Sequence, residues 1–282
     1  MSLDNYFRYI EACNSFEPAD FLPFFVAGRP VGQIPARHAD ALDGRPQLER
    51  HGNGFALVAA DSFQARSETL DVLVGDLIAA GLPLRRRKEK FSLVNGWGET
   101  PLAALDRGAV TFFGIKAFGV HLNVFVRTPT GLDMWLGRRS RTKPVAPGQL
   151  DNLVAGGQPH GLSLIENVAK EADEEAGVPA ELIKDVRPVG AISYHMASEG
   201  GSRDDVLFLY DLEVDEAFKP VSHDDEHEAF LRLPIGQVTK LLQSPDEFKF
   251  NVTLVLVDFL VRHGYIAADT PGYLDLVKGL RR

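Results

Sequence analysis

The sequence predicts an α/β protein of the α+β kind, a helical sandwich around a mixed sheet with a small N-terminal α/β unit attached. Three observations lead there. Segments with strand-like and helix-like spacing are interleaved, without the steady strand–helix alternation of a doubly wound sheet. The texture becomes β-rich from about residue 109. The 282 residues suffice for one large domain or two modest ones. A division into 1–105, of undefined role as a substrate cap or dimerisation unit, and 106–282 follows from where the texture changes.

Helical spacing marks 4–13 and 67–80, the latter through Leu70, Val72, Leu73, Leu77 and Ile78, whereas the apolar runs 21–26 and 55–59 suit strands. Arg85, Arg86, Arg87, Lys88 and Lys90 precede a strand or turn at 91–97. A solvated loop and a phosphate-facing patch are both open for that cluster. Strands are then expected at 109–115, 120–127 and 132–137, ahead of the basic, Pro/Gly-punctuated loop RRSRTKPVAPGQ at 138–149. A helix at 164–176 is followed by strands at 187–195 and 206–214 and helices near 235–243 and 251–263.

Composition narrows the function. Thirty basic against 39 acidic residues leave a net charge of −9, which disfavours nucleic acid or an anionic membrane as partner. An acidic protein that takes an anionic small molecule needs local cations or bound metal. Cys13 is the single cysteine, so an internal disulfide and any multi-cysteine metal site are excluded. The N-terminal MSLDNYFRYIEAC lacks the charge pattern and apolar core of a secretory signal, and the apolar stretch from Val252 to Val261, interrupted by Asp258, falls short of the ~20 residues that span a bilayer. A cytoplasmic protein is the expectation.

The segment 156–179, GGQPHGLSLIENVAKEADEEAGVP, carries the chemistry. Ser163 and Glu166 form a capping-box pair at its start, and Gly177 with Pro179 stops the helix. Ile165, Val168, Ala169, Ala172 and Ala176 are expected to face the core, while Glu171, Glu174 and Glu175 fall within an arc of about 100°. Like charges at these spacings, near the negative end of the helix dipole, cost on the order of 1–3 kcal/mol together. Lys170 can offset part of this through Glu166 or Glu174. A solvated acidic face and a divalent-cation holder are both compatible with the helix alone.

These residues resemble the Nudix hydrolase signature, G-x5-E-x7-R-E-U-x-E-E-x-G-U with U aliphatic. Glu171 matches the Glu that follows the Arg, Glu174 and Glu175 the Glu pair, and Gly177-Val178 the closing pair; Gly156, Gly157 and Gly161 look like the family's glycines. Leu162 stands where the first signature Glu would be, Lys170 replaces Arg, and Ala172 replaces a larger aliphatic. The surrounding MWLGRRSRTKPVAPGQLDNLVAGG, with FGVHLNVFVR and VDFLVRHGYI, resembles the subgroup that includes the hydrolase part of fungal thiamine pyrophosphokinase fusions, whose members carry an N-terminal domain of undefined role.

The resemblance implies a Nudix α/β/α sandwich and metal-dependent cleavage of a diphosphate joined to an organic moiety. Thiamine diphosphate-like compounds, oxidised or damaged, would yield the monophosphate. It implies Mg²⁺, with Mn²⁺ as substitute, held by Glu171, Glu175, Glu174 and the Gly156 carbonyl, with the general base at Glu174 or Glu226. Arg138, Arg139, Arg141 and Lys143 are candidate phosphate ligands, with Gly157 approaching the phosphates through its main chain. His195 and Tyr194 are candidates for a ring pocket. A substrate of the ADP-ribose, dinucleotide or nucleotide-sugar type is the alternative, and a Nudix-fold ligand sensor without turnover is the alternative from another class. An isopentenyl diphosphate isomerase would need a catalytic Cys, and Cys13 lies outside the matching part.

Overall fold

The computed structural model describes residues 3–282. Its N-terminal part contains α1 (Asp4–Cys13), β1 (Phe21–Val26), β2 (Arg29–Pro35), α2 (Ala39–Leu42), β3 (Leu48–His51), β4 (Gly54–Leu57) and α3 (Phe63–Ala79). β5 (Lys90–Leu93), β6 (Ala103–Asp106) and α4 (Val110–Phe113) follow. The four strands β2-β1-β4-β3 form one sheet, and β5 pairs with β6. Phe24, Phe55, Leu70, Leu73, Leu77 and Phe113 are fully buried in a core between the first sheet and α3, whereas Val72 is turned to solvent.

The rest comprises β7 (Lys116–Thr128), β8 (Gly131–Arg139), β9 (Leu150–Asn152), β10 (Val154–Gly157), α5 (Leu164–Ala176) and α6 (Ala180–Ile183). It ends with β11 (Arg187–Ser198), β12 (Gly201–Val214), β13 (His227–Pro234), α7 (Ile235–Leu241), α8 (Val252–Arg262) and α9 (Tyr273–Gly279). The seven-stranded sheet has the order β11-β12-β7-β8-β13, with β10 on β7 and β9 on β8. Only the β12–β7 pair is parallel, so the sheet is mixed. One face packs on α1, α7, α8 and α9, the other on α5. Strand β7 is buried along nearly its whole length because both faces are covered.

Two features depart from the sequence expectations. Residues 109–115 form a 3₁₀ turn and the short α4, not a strand: Asp106 accepts from the Gly108 N–H at 2.8 Å, Phe112 and Phe113 turn into the N-terminal core, and Gly114 ends the turn at φ 54°. Helix α1 lies first in the chain but packs with the last helices: Leu3, Tyr6 and Ile10 share a core with Val255 and Phe259. Asp258, the acid inside apolar α8, is fully buried and bound by Arg262 at 2.6 Å and Arg281 at 2.5 Å. No helix among the described residues is long and apolar enough to cross a membrane.

Candidate active site

Helix α5 forms with both ends fixed as its sequence indicates. The Ser163 side chain and the Glu166 carboxylate complete a reciprocal capping box, and Gly177 closes the helix at φ 56°. A cap of this kind contributes roughly 0.5–2 kcal/mol. Val168, Ala172 and Ala176 are buried as expected, but Ile165 is exposed; in the first turn Asn167 is the residue that turns inward, donating to the Gly157 carbonyl at 3.0 Å. Gly156 and Gly157 belong to β10, paired with β7, rather than to a turn. A Cβ on Gly156 would lie less than 3.0 Å from the Glu171 carboxyl group, and one on Gly157 equally close to the Phe91 ring. Both positions therefore depend on the missing side chain.

The three helix glutamates separate. Glu171 and Glu175 are buried, at 8% and 6% exposure, whereas the Glu174 side chain is 48% exposed. At about 100° per residue, Glu175 lies ~40° to one side of Glu171 and Glu174 ~60° to the other, so the core boundary passes between them. Lys170 bridges Glu171 and Glu174, 3.0 Å from each. Glu175 accepts from the Ala155 N–H at 2.8 Å. Burial, and then the neighbouring Glu171 charge, push the Glu175 carboxyl well above the ordinary carboxylate range; burial also raises Glu171, against the pull of Lys170.

A second acidic pair faces this one. Arg139 on β8 reaches Asp151 at 2.7 Å and Glu226 at 2.6 Å, Lys249 reaches Asp151 at 2.9 Å, and Lys143 pairs with Glu226. Burial alone would raise both carboxyls. The cations outweigh it, holding Asp151 at about 2, chiefly through Lys249 and Arg139, and Glu226 below its ordinary range, through Lys143 and Arg139. Both pairs belong to one electrostatic cluster, since Asp151 and Glu226 contribute to raising Glu175.

His121 on β7 heads a directed chain of side chains. Asn123 Nδ2 donates to the Asp211 carboxylate at 2.9 Å, so Asn123 Oδ1 accepts from Asn152 Nδ2 at 2.9 Å. Asn152 Oδ1 must then accept from His121 Nδ1 at 2.9 Å. This fixes the tautomer and leaves Nε2 as an acceptor. Burial, together with the Lys249 charge, lowers the imidazole to about 4, so His121 is neutral.

The structure brings Glu171, Glu175, Gly156, Arg139, Lys143 and Glu226 into this region and places four other candidates elsewhere. Arg138, next to Arg139 on the strand, points the other way, donating to the Gly148 carbonyl at 2.8 Å and to Glu247 at 3.3 Å. His195 stacks on Phe16 at 3.7 Å and Tyr194 donates to Asp205 at 2.5 Å, both on the edge strand β11. Arg141 lies near Glu228 on the surface. The N-terminal basic cluster is partly spent on Asp71, which Arg86 and Lys90 both pair with. Sequence reasoning passed over Asp151, Lys249 and His121. An Asp-Asn pair set between apolar residues in LDNLV was a signal for the first; Lys249 offers none.

Among the described residues no three His, Cys, Asp or Glu side chains converge as a ready metal cage. Glu171 and Glu175 nevertheless fit a hard cation: burial raises both carboxyls, the Glu171 charge raises Glu175 further, and their donors are all oxygen.

A mixed sheet between helical layers, with a doubly capped acidic helix crossing a glycine strand, defines a hydrolase of the Nudix fold. The NUDIX domain family matches residues 118–252, and a domain of unknown function (DUF4743) matches residues 5–117. Nudix hydrolase 20, chloroplastic, from Arabidopsis thaliana is 35% identical over 99% of this chain and 78% of its own length. Nudix hydrolase 24, chloroplastic, from the same plant is 32% identical over the same shares. Among solved structures, DR0079 from Deinococcus radiodurans is similar over 60% of this chain and 98% of its own, with 21% identity and a TM-score of 0.47. The chain belongs to the Nudix hydrolase family, whose members act on diphosphate-linked small molecules and generally use a divalent metal.

Proposed function

We propose that this Nudix hydrolase cleaves the diphosphate of a thiamine diphosphate-like compound, including oxidised or damaged forms, to the monophosphate, and does so with Mg²⁺ or Mn²⁺. The observation that carries the cation-dependent reading is the buried Glu171–Glu175 pair, which among the described residues has Lys170 as its ion-paired cation. Glu171 and Glu175 would hold the cation, with the Gly156 carbonyl as a further oxygen and Glu174 as an added donor once freed from Lys170. A divalent cation there supplies neutralisation of phosphate oxygens and activation of water.

The chain's own residues divide the rest of the work. Lys143, on the loop after β8 and partly exposed, can exchange Glu226 for a phosphate oxygen; Arg139, gripped by two carboxylates, stays and fixes the local positive field. Glu226 is ionised throughout the neutral range because its pKa is lowered. When Lys143 leaves it, its basicity rises toward that of an ordinary carboxylate, which suits it to take a proton from the attacking water. The neutral His121 contributes a fixed acceptor, Nε2, beside Asp151 and Lys249.

The substrate choice rests on the similarity of the segments around 134–157 and 118–127 to the thiamine-linked subgroup. Product analysis with Mg²⁺ over thiamine diphosphate, its oxidised analogues, ADP-ribose, NADH and a nucleotide-sugar tests it. Release of thiamine-type monophosphate is the expected result. Preference for ADP-ribose or NADH would replace the substrate class and keep the hydrolase, and turnover undiminished by chelation would remove the cation.

A further inference from the structure

We propose that the cleft between the N-terminal unit and the sheet of the hydrolase unit receives the organic end of the substrate, and that it takes a planar heteroaromatic ring bearing an N–H donor. The inference rests on the diphosphohydrolase reading and assigns the N-terminal region a part in specificity. The cleft holds about 250 Å³ and lies between Phe91 and Trp97 on one side and Phe118, Gln158 and Leu162 on the other. That is small for a ligand site, so it suits a ring system rather than a whole dinucleotide.

Three features give its chemistry. Trp97 is 48% exposed, and its ring is 5.1 Å from Phe118 and 4.8 Å from Phe208 at 58° and 59°. Neither aromatic neighbour lies parallel to the indole, so neither is stacked on it, and its half-exposed ring is open to an incoming planar ring. Gln158 is 94% buried; its Nε2 donates to the Leu162 carbonyl at 2.7 Å, and its Oε1 has no partner among the described residues. The carbonyl can only accept, so the amide cannot be turned round, and a buried acceptor is left for a ligand N–H. The two charges bordering the cleft are already paired, Glu99 with Arg29 at 2.8 Å and Lys116 with Asp204 at 2.8 Å, so nothing there favours phosphate.

The cleft also connects to the carboxylates. Gln158 continues the pairing of β10 through its N–H to the Phe118 carbonyl at 2.8 Å. It lies two residues, roughly 7 Å, along the extended chain from Gly156, against which Glu171 packs. One substrate can thus place its ring at Trp97 and Gln158 and its diphosphate at the acidic helix.

Binding of phosphate-free rings to the full-length protein, followed by calorimetry without added metal, tests the proposal. Adenosine and thiamine carry the amine donor; purine riboside and 4′-deaminothiamine carry hydrogen in its place and have no ring N–H. The expected result is saturable binding of an aminated ring, preferred at least about fivefold over its amine-free counterpart, weakened about tenfold by Trp97→Leu, with the preference erased by Gln158→Met. Absence of binding by both aminated rings, or binding undiminished in Trp97→Leu, overturns it. Circular dichroism confirms that each variant is folded, and the half-exposed Trp97 gives the readout least exposed to folding defects. The assay needs neither cation nor turnover, so its failure leaves the hydrolase reading standing, and failure of turnover leaves this one standing.

Discussion

Glu171 and Glu175 on the acidic helix and Asp151 and Glu226 beside β8 are all largely buried, yet the first pair is held above the ordinary carboxylate range and the second below it. Burial pushes all four in the same direction. The difference lies in the counter-charges: Arg139, Lys143 and Lys249 converge on the second pair, while the first has Lys170 at one end and a single backbone N–H at the other. The second pair is internally neutralised in the protein alone. The first carries an uncompensated electrostatic cost in the protein alone, which is the condition in which a bound cation stabilises most.

Removing the shared cation gives the largest expected effect. Arg139→Met leaves Asp151 and Glu226 largely buried with their shared partner gone and should lower stability by about 3–5 kcal/mol, read from urea unfolding at neutral pH. An unchanged midpoint would show that Lys143 and Lys249 suffice. At the other pair the sign reverses. Glu175→Gln keeps an oxygen for the Ala155 N–H and removes a costly charge, so the metal-free protein should melt about 2 °C higher or more, while turnover falls on the order of 10²–10³-fold. A lower melting temperature would mean the charge is already compensated.

Acid should act through the second region and its relay. His121 is neutral in the fold at about 4 against an ordinary 6.5, so the unfolded chain binds the extra proton between these values. Stability is therefore full above about 6.5 and falls as pH drops toward 4, by up to about 3 kcal/mol. Asp151, held at about 2, adds a further loss only below its ordinary 3.8. His121→Gln should flatten the loss between pH 6.5 and 4 in thermal melts, leaving the slope below pH 4 in place. The smallest effect is expected at Glu174, already in solvent: Glu174→Gln should cost turnover no more than about tenfold in initial-rate assays, and a loss matching that of Glu175→Gln would place it among the principal ligands.

The helix that carries the site was legible because its signals are local. Ser163, Glu166 and Gly177 set its ends within a few residues, and the carboxylate spacing follows from helical rotation. The burial of Glu175 and exposure of Glu174 were not legible, because only the position of β10 under the helix decides which side of the arc is covered. Arg138 and Arg139 read alike in sequence; strand alternation sends Arg139 to the carboxylates and Arg138 to Glu247, and the phase of that alternation comes from pairing with β13. The 109–115 segment looked like a strand because apolar β-formers fill it, and its short helix is imposed by packing of Phe112 and Phe113.

The sequence by itself determined the acidic helix, its caps and the mixed α/β class, since these depend on spacing over short stretches of chain, and it carried the likeness to the Nudix signature. Tertiary structure decided which carboxylates are neutralised, that α1 joins the last helices, and that Trp97 and Gln158 meet across a cleft. Those outcomes depend on groups far apart in the chain, whose distances, and hence Coulomb and desolvation energies, exist only once the sheet has assembled.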